Sequence, residues 1–166
     1  MDTDQSEVYE KLMAQAIRFV SYRPRSEKEI RDYLTQKLSR SHTTAPLVLA
    51  HALRRLTELG YINDTEFSAW WVGQRTGRKP KGARVIRMEL VRKGIAPEII
   101  EDALREGMKG EQSEVNLAKA TANKKRDTWK HLPLQEQKRK LSDYLLRRGF
   151  SSEISWGVVD DILTNV

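Results

Sequence analysis

The most polarised stretch of the chain reads QRTGRKPKGARVIRMELVRKG over residues 74–94. No residue between Glu66 and Glu89 is acidic. Such a stretch is typical of sites for phosphate groups or for an acidic protein groove, because each Lys or Arg adds a salt-sensitive contact to an anion. The alternative is a solvated helix face behind a basic loop, which needs no ligand. The candidate contacts are Arg75, Arg78, Lys79, Lys81, Arg84, Arg87, Arg92 and Lys93.

A second basic set lies near the carboxyl end of the chain. It consists of Lys124, Lys125, Arg126 and Lys130, followed by Lys138, Arg139, Lys140, Arg147 and Arg148. Asp127, Glu136 and Asp143 interleave with these cations, so ordinary charge pairing on a helix surface is an equal alternative to ligand binding. We include Lys124, Lys125, Arg147 and Arg148 among the candidate contacts.

The residues that could support catalysis or hold a metal show no recognisable spacing. His42, His51 and His131 lie in three separate segments, and the chain has no cysteine. No phosphate-binding Gly-rich loop and no nucleophile elbow is present. The acidic pairs Glu101-Asp102 and Asp160-Asp161 are adjacent residues, which point to different faces of a helix. We therefore expect neither an enzyme nor a cofactor or metal site.

Helical signals surround the basic stretches. Ser26 and Glu29 form a capping box, in which each side chain satisfies the other's backbone N–H. Gly60, Gly94 and Gly149 each stand before an apolar residue, which is typical of a Schellman-type helix end. Apolar residues recur at helical spacing along the chain, and no segment alternates as a strand does. The sequence therefore predicts nine helices and an all-α fold.

The helices repeat in a fixed order. The octets IRDYLTQK, IRMELVRK and LSDYLLRR begin at Ile30, Ile86 and Leu141. An interval of about 55 residues lies just beyond the range of common stacked repeats. We expect three tandem three-helix modules, at residues 1–60, 61–110 and 111–166, in an elongated and curved array.

The central octet lies on a helix drawn from Gly82 to Lys93. Arg84, Arg87 and Arg92 lie off the stripe that Ile86 and Leu90 form, so a core can pack beneath a basic surface. Glycines and a proline before this helix would keep the loop's charges accessible. Trp70 and Trp71 point about 100° apart on a helix, so one of them is expected to pack inside.

The composition agrees with an anionic partner and a soluble protein. The chain has 30 Lys and Arg against 23 Asp and Glu, a net charge of +7, and 32% charged residues. A basic excess favours anionic partners, although many basic proteins have none. No apolar run approaches the roughly 18 residues that span a bilayer. We expect a cytoplasmic protein without a membrane partner.

Several segments together resemble the RecX family of regulatory proteins. The similar segments are YRPRSEKEIRDYL, LTELGYINDTEFS, GARVIRMELVRKGI and LLRRGFSSEI, in the order that the family has them. The family has a Lys-Gly-aromatic-Gly loop where this chain has Lys79-Pro80-Lys81-Gly82, and an acidic residue where this chain has Asn63. The missing aromatic residue changes the contacts that the loop can make.

The resemblance implies a regulator of the RecA recombinase. Members have three tandem three-helix modules and lodge in the groove of RecA filaments on DNA, where they usually damp ATP hydrolysis, strand exchange and co-protease function. We expect a monomer that bridges filament subunits through the candidate cations, with weak binding to single- or double-stranded DNA alone. Changing Arg84 and Arg87 to Glu is expected to abolish the suppression.

Two other classes remain open. A free-standing helical DNA-binding protein would bind DNA strongly, with a steep salt dependence and without RecA. A protein-interaction scaffold would bind RecA without DNA and with little salt sensitivity.

Overall fold

The computed structural model describes residues 3–40 and 45–164, and all regular structure in those ranges is helical. The prediction of an all-α chain is confirmed. Nine α-helices lie in the described ranges, with a short 3-10 helix at Gly110–Gln112 between the sixth and the seventh. They are α1 (Thr3–Val20), α2 (Glu27–Arg40), α3 (Pro46–Glu58), α4 (Asp64–Thr76), α5 (Ala83–Arg92), α6 (Pro97–Gly107), α7 (Glu114–Trp129), α8 (Leu134–Arg148) and α9 (Ser152–Thr164).

The predicted helix start at Ser26 is present, and Asn63 provides another. The backbone N–H of Glu29 donates to the Ser26 hydroxyl at 3.2 Å, and the N–H of Ser26 donates to the Glu29 carboxylate at 3.3 Å. This reciprocal pair is the capping box at the start of α2. Asn63 caps α4, since its side-chain oxygen accepts from the N–H groups of Thr65 and Glu66 at 3.1 Å.

The predicted glycine stops are also confirmed. Gly60, Gly94 and Gly149 have φ angles of 78°, 78° and 94°, in the left-handed region that favours glycine. After α8, the N–H of Gly149 donates to the Leu146 carbonyl at 3.0 Å and that of Phe150 to the Leu145 carbonyl at 3.2 Å. This pattern is the Schellman motif, which satisfies carbonyls that the helix end leaves free.

The chain divides into two compact units. The first comprises the described residues of Met1–Ser68 together with Lys93–Ile95, and the second comprises Ala69–Arg92 and Ala96–Val166, likewise where described. The division falls within α4, so compactness does not follow the repeat of the sequence. The module boundaries at 60 and 110 therefore stay a prediction.

The first unit has a core drawn from α1, α2 and α3. Its fully buried members are Ala16 of α1, Ile30 and Leu34 of α2, and Ala52 and Leu56 of α3. The helical spacing of apolar residues predicts such a buried face on each of these helices, but Leu59, the last residue of that pattern in the third helix, is 46% exposed. Helix α3 ends at Glu58, so Leu59 no longer lies on the buried face.

The short segment Lys93–Ile95 is tied into the first unit at the start of α2. The Ser26 hydroxyl donates to the Lys93 carbonyl at 2.8 Å, and the Lys93 ammonium donates to Glu29 at 2.7 Å. Burial alone would raise the pKa of Glu29, but hydrogen bonds from Arg23 and Lys93 hold that pKa below its ordinary value. Asp64 accepts the N–H of Glu27 at 2.8 Å, which adds a second cap to the same helix start.

The second unit has its main core between α7, α8 and α9. Leu141, Leu145, Phe150 and Val159 are fully buried there. Ile86 and Leu90 of α5 are also fully buried, as the predicted stripe requires. These buried residues determine which face of α5 and which face of α8 points away from the core.

One repeat position differs in chemistry between the octets. Tyr33, Glu89 and Tyr144 each hold the fourth place of their octet. Tyr33 stacks on Phe19 with ring centroids 4.1 Å apart, and Tyr144 meets Trp129 edge-on at 6.2 Å. Glu89 instead accepts a hydrogen bond from Arg75 at 2.7 Å. The central octet thus has an ion pair where the other two have aromatic pairs.

Candidate functional site

The loop between α4 and α5 carries the densest part of the basic stretch, and hydrogen bonds hold it against α8. The Arg148 guanidinium donates to the carbonyl oxygens of Lys79 at 2.6 Å and Pro80 at 2.8 Å. The N–H of Gly82 donates to the Arg148 carbonyl at 3.0 Å. Arg78 and Lys79 are exposed, so their side chains extend from a loop whose backbone is anchored.

The backbone of the loop also lies very close to the backbone at the end of α8. A Cβ atom at Gly82 would lie 2.2 Å from the carbonyl carbon and oxygen of Gly149. A side chain there would require the backbone of one segment to move, because the contacting atoms are not the end of a flexible side chain. Glycine at position 82 is therefore required by the approach of the loop to the end of α8.

The start of α5 is fixed by an acidic residue from another element. The carboxylate of Glu114, the first residue of α7, accepts the N–H of Ala83 at 2.9 Å. This bond satisfies one of the N–H groups that a helix start leaves free, and a negative charge there is favourable to the helix dipole. Helix α5 is therefore held at the same end as the basic loop.

The anchored loop forms one wall of a basic cleft. The cleft has a volume of about 520 Å³. Helices α7 and α8 form its other walls. Its lining contains five cations, one aromatic ring and no carboxylate: Arg78, Lys79, Pro80, Thr121, Lys124, Lys125, Tyr144 and Arg148. We refer to this feature as the basic cleft.

Backbone carbonyls hold two of the five cations of the basic cleft, and no carboxylate of the described residues pairs with any of the five. Arg148 binds the loop carbonyls described above, and the Lys124 ammonium lies 3.4 Å from the carbonyl oxygen of Arg78. Lys125 lies over the Tyr144 ring, 5.9 Å from its centroid. A neutral carbonyl orients a cation and leaves its net charge in place. The basic cleft therefore keeps a concentrated positive charge.

Two of the predicted contacts, Arg75 and Lys81, share one carboxylate partner. The Glu89 carboxylate accepts from Arg75, from Lys81 and, at 2.9 Å, from the Trp71 indole N–H. Its side chain is only 19% exposed. Burial alone would raise the pKa of Glu89, but hydrogen bonds from Lys81, Arg75 and Trp71 hold that pKa below its ordinary value. This cluster stabilises the packing of α4 on α5.

The remaining predicted contacts lie outside the basic cleft. Arg87 pairs with Glu101 at 2.6 Å, which raises the pKa of the Arg87 guanidinium, and Lys93 pairs with Glu29 in the first unit. Arg84 donates to the Leu146 carbonyl at 2.8 Å. Within the described residues, no carboxylate pairs with Arg92 or Arg147, and both are exposed.

The structure thus joins parts of the two basic sets that the sequence left separate. Arg78 and Lys79 come from the first set, and Lys124, Lys125 and Arg148 from the second. Sequence reasoning missed Glu89 as the partner of Arg75 and Lys81, and missed Tyr144 as part of the cleft wall. The only local signal for Tyr144 was its match to Tyr33 across the repeat.

Other predicted features have structural places. Trp71 is half-buried and bonded to Glu89, while His51 stacks on Tyr9 with ring centroids 5.0 Å apart. His131 is exposed, and His42 lies outside the described residues. Residues 3–40 and 45–164 contain no group of three or more His, Asp or Glu placed to hold a metal ion. No helix within those ranges combines the length and the apolar character needed to cross a bilayer.

Three models of RecX domains match the chain in sequence order. The first three-helix domain matches residues 13–38, the second residues 63–104 and the third residues 112–159. Together they cover well over half of the chain. The loop 77–82 lies inside the second match, and α7 and α8 lie wholly inside the third.

Curated relatives carry the name Regulatory protein RecX. The protein of Bacillus cytotoxicus is 35% identical over 149 residues, which are 90% of this chain and 53% of that protein. The protein of Bacillus subtilis is 34% identical over 147 residues, which are 89% of this chain and 53% of that protein. The chain therefore spans about half the length of the curated relatives it matches.

Solved structures of RecX proteins share the fold. The crystal structure of RecX from Lactobacillus salivarius superimposes with a TM-score of 0.83 and 26% identity, covering 97% of this chain and 99% of that one. A second crystal structure of a regulatory protein RecX gives a TM-score of 0.77 at 24% identity and covers 98% of this chain and 74% of that one. The second likeness concerns the fold alone.

Proposed function

Because this chain belongs to the RecX family of regulatory proteins, we propose that it regulates RecA by binding the filament that RecA forms on DNA. Binding in the filament groove would suppress ATP hydrolysis, strand exchange and co-protease activity. The protein would act as a monomer in the cytoplasm, where it would bridge filament subunits and make or break no covalent bond. The family membership and the basic cleft of the second unit support this proposal.

The charge arrangement favours a polyanionic partner. Five cations line the basic cleft without a carboxylate among them, and Arg147 adds an exposed cation on the same helix as Arg148. A RecA filament on DNA offers phosphates and acidic protein groups to such a surface. Each cation that meets a phosphate would release counterions, so binding would weaken as salt rises.

The contacts divide the twelve candidate cations into two groups. Arg75, Lys81, Arg87 and Lys93 already pair with carboxylates inside the protein. A ligand would have to compete with those carboxylates for the same donors. We therefore assign the filament contacts first to the cations of the basic cleft and to Arg147, with Arg84 and Arg92 at its margin.

The sharpest test removes charge without adding repulsion. Changing Arg87 to Glu would place two carboxylates together at Glu101, so loss of function in that variant would be ambiguous. The double variant Lys79→Gln/Arg147→Gln is expected to weaken co-sedimentation with RecA filaments and suppression of RecA ATP hydrolysis by at least about tenfold. Arg54→Gln/Arg55→Gln, with the same charge change on the exposed face of α3, is the control and should behave as wild type.

The same assay separates the alternatives. The proposal fails if the wild-type chain, in excess over RecA, changes neither ATP hydrolysis nor strand exchange. Strong, steeply salt-dependent binding to DNA alone, with no effect of RecA, would identify a free-standing DNA-binding protein. Binding to RecA without DNA and with little salt dependence would identify a scaffold.

A further inference from the structure

The basic cleft combines two kinds of wall that serve different parts of one ligand. Cations from the loop, α7 and α8 form a positive wall, and the ring of Tyr144 forms an aromatic wall. The volume of about 520 Å³ is within the range of small-ligand sites, about 300–1,000 Å³. The cleft is therefore of a size for one nucleotide and not for a folded segment of protein.

The positive wall is positioned before any ligand arrives. Arg148 and Lys124 are held by loop carbonyls, and the loop is fixed by the contact of Gly82 with Gly149. Cations already held in place lose little conformational freedom when they bind an anion. Arg78 and Lys79, which are exposed at the rim, can close on the same anion.

The aromatic wall distinguishes this site from its repeat equivalents. The Tyr33 ring is stacked almost parallel on Phe19, at an interplanar angle of 6°. Tyr144 meets Trp129 at 66°, so it is not stacked face to face on a second ring, and its ring lines the cleft beside Lys125. At the central octet the position is Glu89, which has no ring and whose carboxylate is bonded to Arg75 and Lys81. The third octet is therefore the one whose ring lies beside the cations of the basic cleft.

We propose that the basic cleft binds one nucleotide of single-stranded DNA, with the phosphate on the cations and the base or sugar against Tyr144. This inference rests on the proposed function, which it makes specific by naming the group that enters the site. A single strand has unpaired bases that can lie on an aromatic side chain. A duplex keeps its bases stacked inside and offers the cleft its phosphates alone.

The test measures binding to labelled oligothymidylate of about 12 nucleotides by fluorescence anisotropy, in the absence of RecA. Tyr144→Leu is expected to weaken single-strand binding about tenfold and to leave binding to a duplex of equal length unchanged. Tyr144→Phe keeps the ring and should bind as wild type. Thermal melts of both variants verify folding, and Tyr144→Phe and the charge variants keep the test decisive if Tyr144→Leu is unstable.

The charge variants test the phosphate wall separately. Lys79→Gln/Lys124→Gln is expected to weaken single-strand binding at least tenfold and to make the slope of log affinity against log salt shallower by about 0.7 for each phosphate that the variant no longer binds. Lys130→Gln/Arg139→Gln carries the same charge change just after α7 and on α8, at two residues outside the cleft lining, and is the matched control. Equal binding by the two double variants would overturn the inference. Displacement of the oligonucleotide by polyglutamate at equal charge concentration would also overturn it, in favour of a general anion site.

Competition with thymidine monophosphate identifies the source of the nucleotide. If thymidine monophosphate displaces the oligonucleotide only at a far higher nucleotide concentration, the ligand is the strand. If thymidine monophosphate displaces the oligonucleotide at an equal nucleotide concentration, the inference of a DNA strand is overturned and the ligand is a free nucleotide. The assay lacks RecA, so a chain that binds oligothymidylate but leaves RecA unaffected would end the proposed function and not this inference.

Discussion

At the scale of single residues, Glu89 shows how a charge that looks like a functional contact becomes structural. Its carboxylate accepts hydrogen bonds from Arg75, Lys81 and the Trp71 indole in a partly buried cluster. Hydrogen bonds to a charged group contribute more to stability than neutral ones, about 1.5–3 kcal/mol. The three donors therefore serve first to hold α4 and the loop after it to α5.

We expect Glu89→Gln to lower the free energy of unfolding by about 2 kcal/mol at neutral pH, because it leaves Arg75 and Lys81 without their counter-charge. The pKa of Glu89 is held below its ordinary value in the folded chain, so the wild type has this stabilisation above the ordinary carboxyl pKa. It loses the stabilisation as pH falls through the folded-state pKa, and the difference between the two proteins should then shrink. Urea unfolding at a series of pH values measures this.

Glu101→Gln provides the comparison for that experiment. Its pair with Arg87 is exposed, with side chains 54% and 43% accessible, and exposed pairs contribute about 0–1 kcal/mol. The loss in Glu101→Gln should be clearly smaller than in Glu89→Gln. Equal losses would show that Glu89 is not a structural centre.

At the scale of elements, the start of α2 depends on a residue that serves two segments. The Ser26 hydroxyl accepts the N–H of Glu29 and donates to the carbonyl of Lys93, and Ser26 is fully buried. A cap of this kind fixes the helix start and at the same time satisfies a buried carbonyl from a distant part of the chain.

Ser26→Ala is expected to cost about 1–2 kcal/mol, since it removes a helix cap and leaves the Lys93 carbonyl without its donor. Ser113→Ala removes the cap of α7, where the bond to the N–H of Asn116 is longer, at 3.4 Å, and should cost less. Denaturant unfolding of both variants gives the comparison. A cost for Ser26→Ala no greater than that for Ser113→Ala would contradict the double role of Ser26.

At the scale of the whole molecule, contacts between distant parts of the sequence build the basic cleft. Gly82→Ala is expected to destabilise the protein by about 1–3 kcal/mol, because a Cβ there would meet the Gly149 backbone at 2.2 Å. Gly77→Ala, in the same loop, places its Cβ 3.7 Å from the nearest atom and should be tolerated. Thermal unfolding of the two variants decides between them, and equal melting temperatures would contradict the close approach.

The sequence predicted the features that depend on neighbours along the chain. The capping box at Ser26, the glycine stop at Gly149 and the repeat of the octets are local patterns, and each is present in the structure. The acid-free stretch correctly located a basic loop. It could not reveal that Glu89 pairs with two of its members, because that pairing depends on the tertiary contact of α4 and the loop with α5.

The basic cleft itself was beyond sequence reasoning for the same reason. Its lining comes from the loop, from α7 and from α8, and only tertiary packing brings them together. The repeat nevertheless marked Tyr144 by its match to Tyr33. Glu89 holds the same place in its octet as the two tyrosines. A comparison that looks only for identical residues across the repeat does not draw attention to such a change.

The inclusion of Lys93–Ile95 in the first unit has a consequence for how the chain folds during synthesis. Domains generally fold as units while the ribosome adds residues from the amino end. Here the first unit includes residues that are made after α5, and the buried Ser26 hydroxyl has no carbonyl to bind until Lys93 has left the ribosome. The core of α1, α2 and α3 can therefore form before the contacts of Lys93 at the start of α2, which are added only after α4 and α5 have been translated.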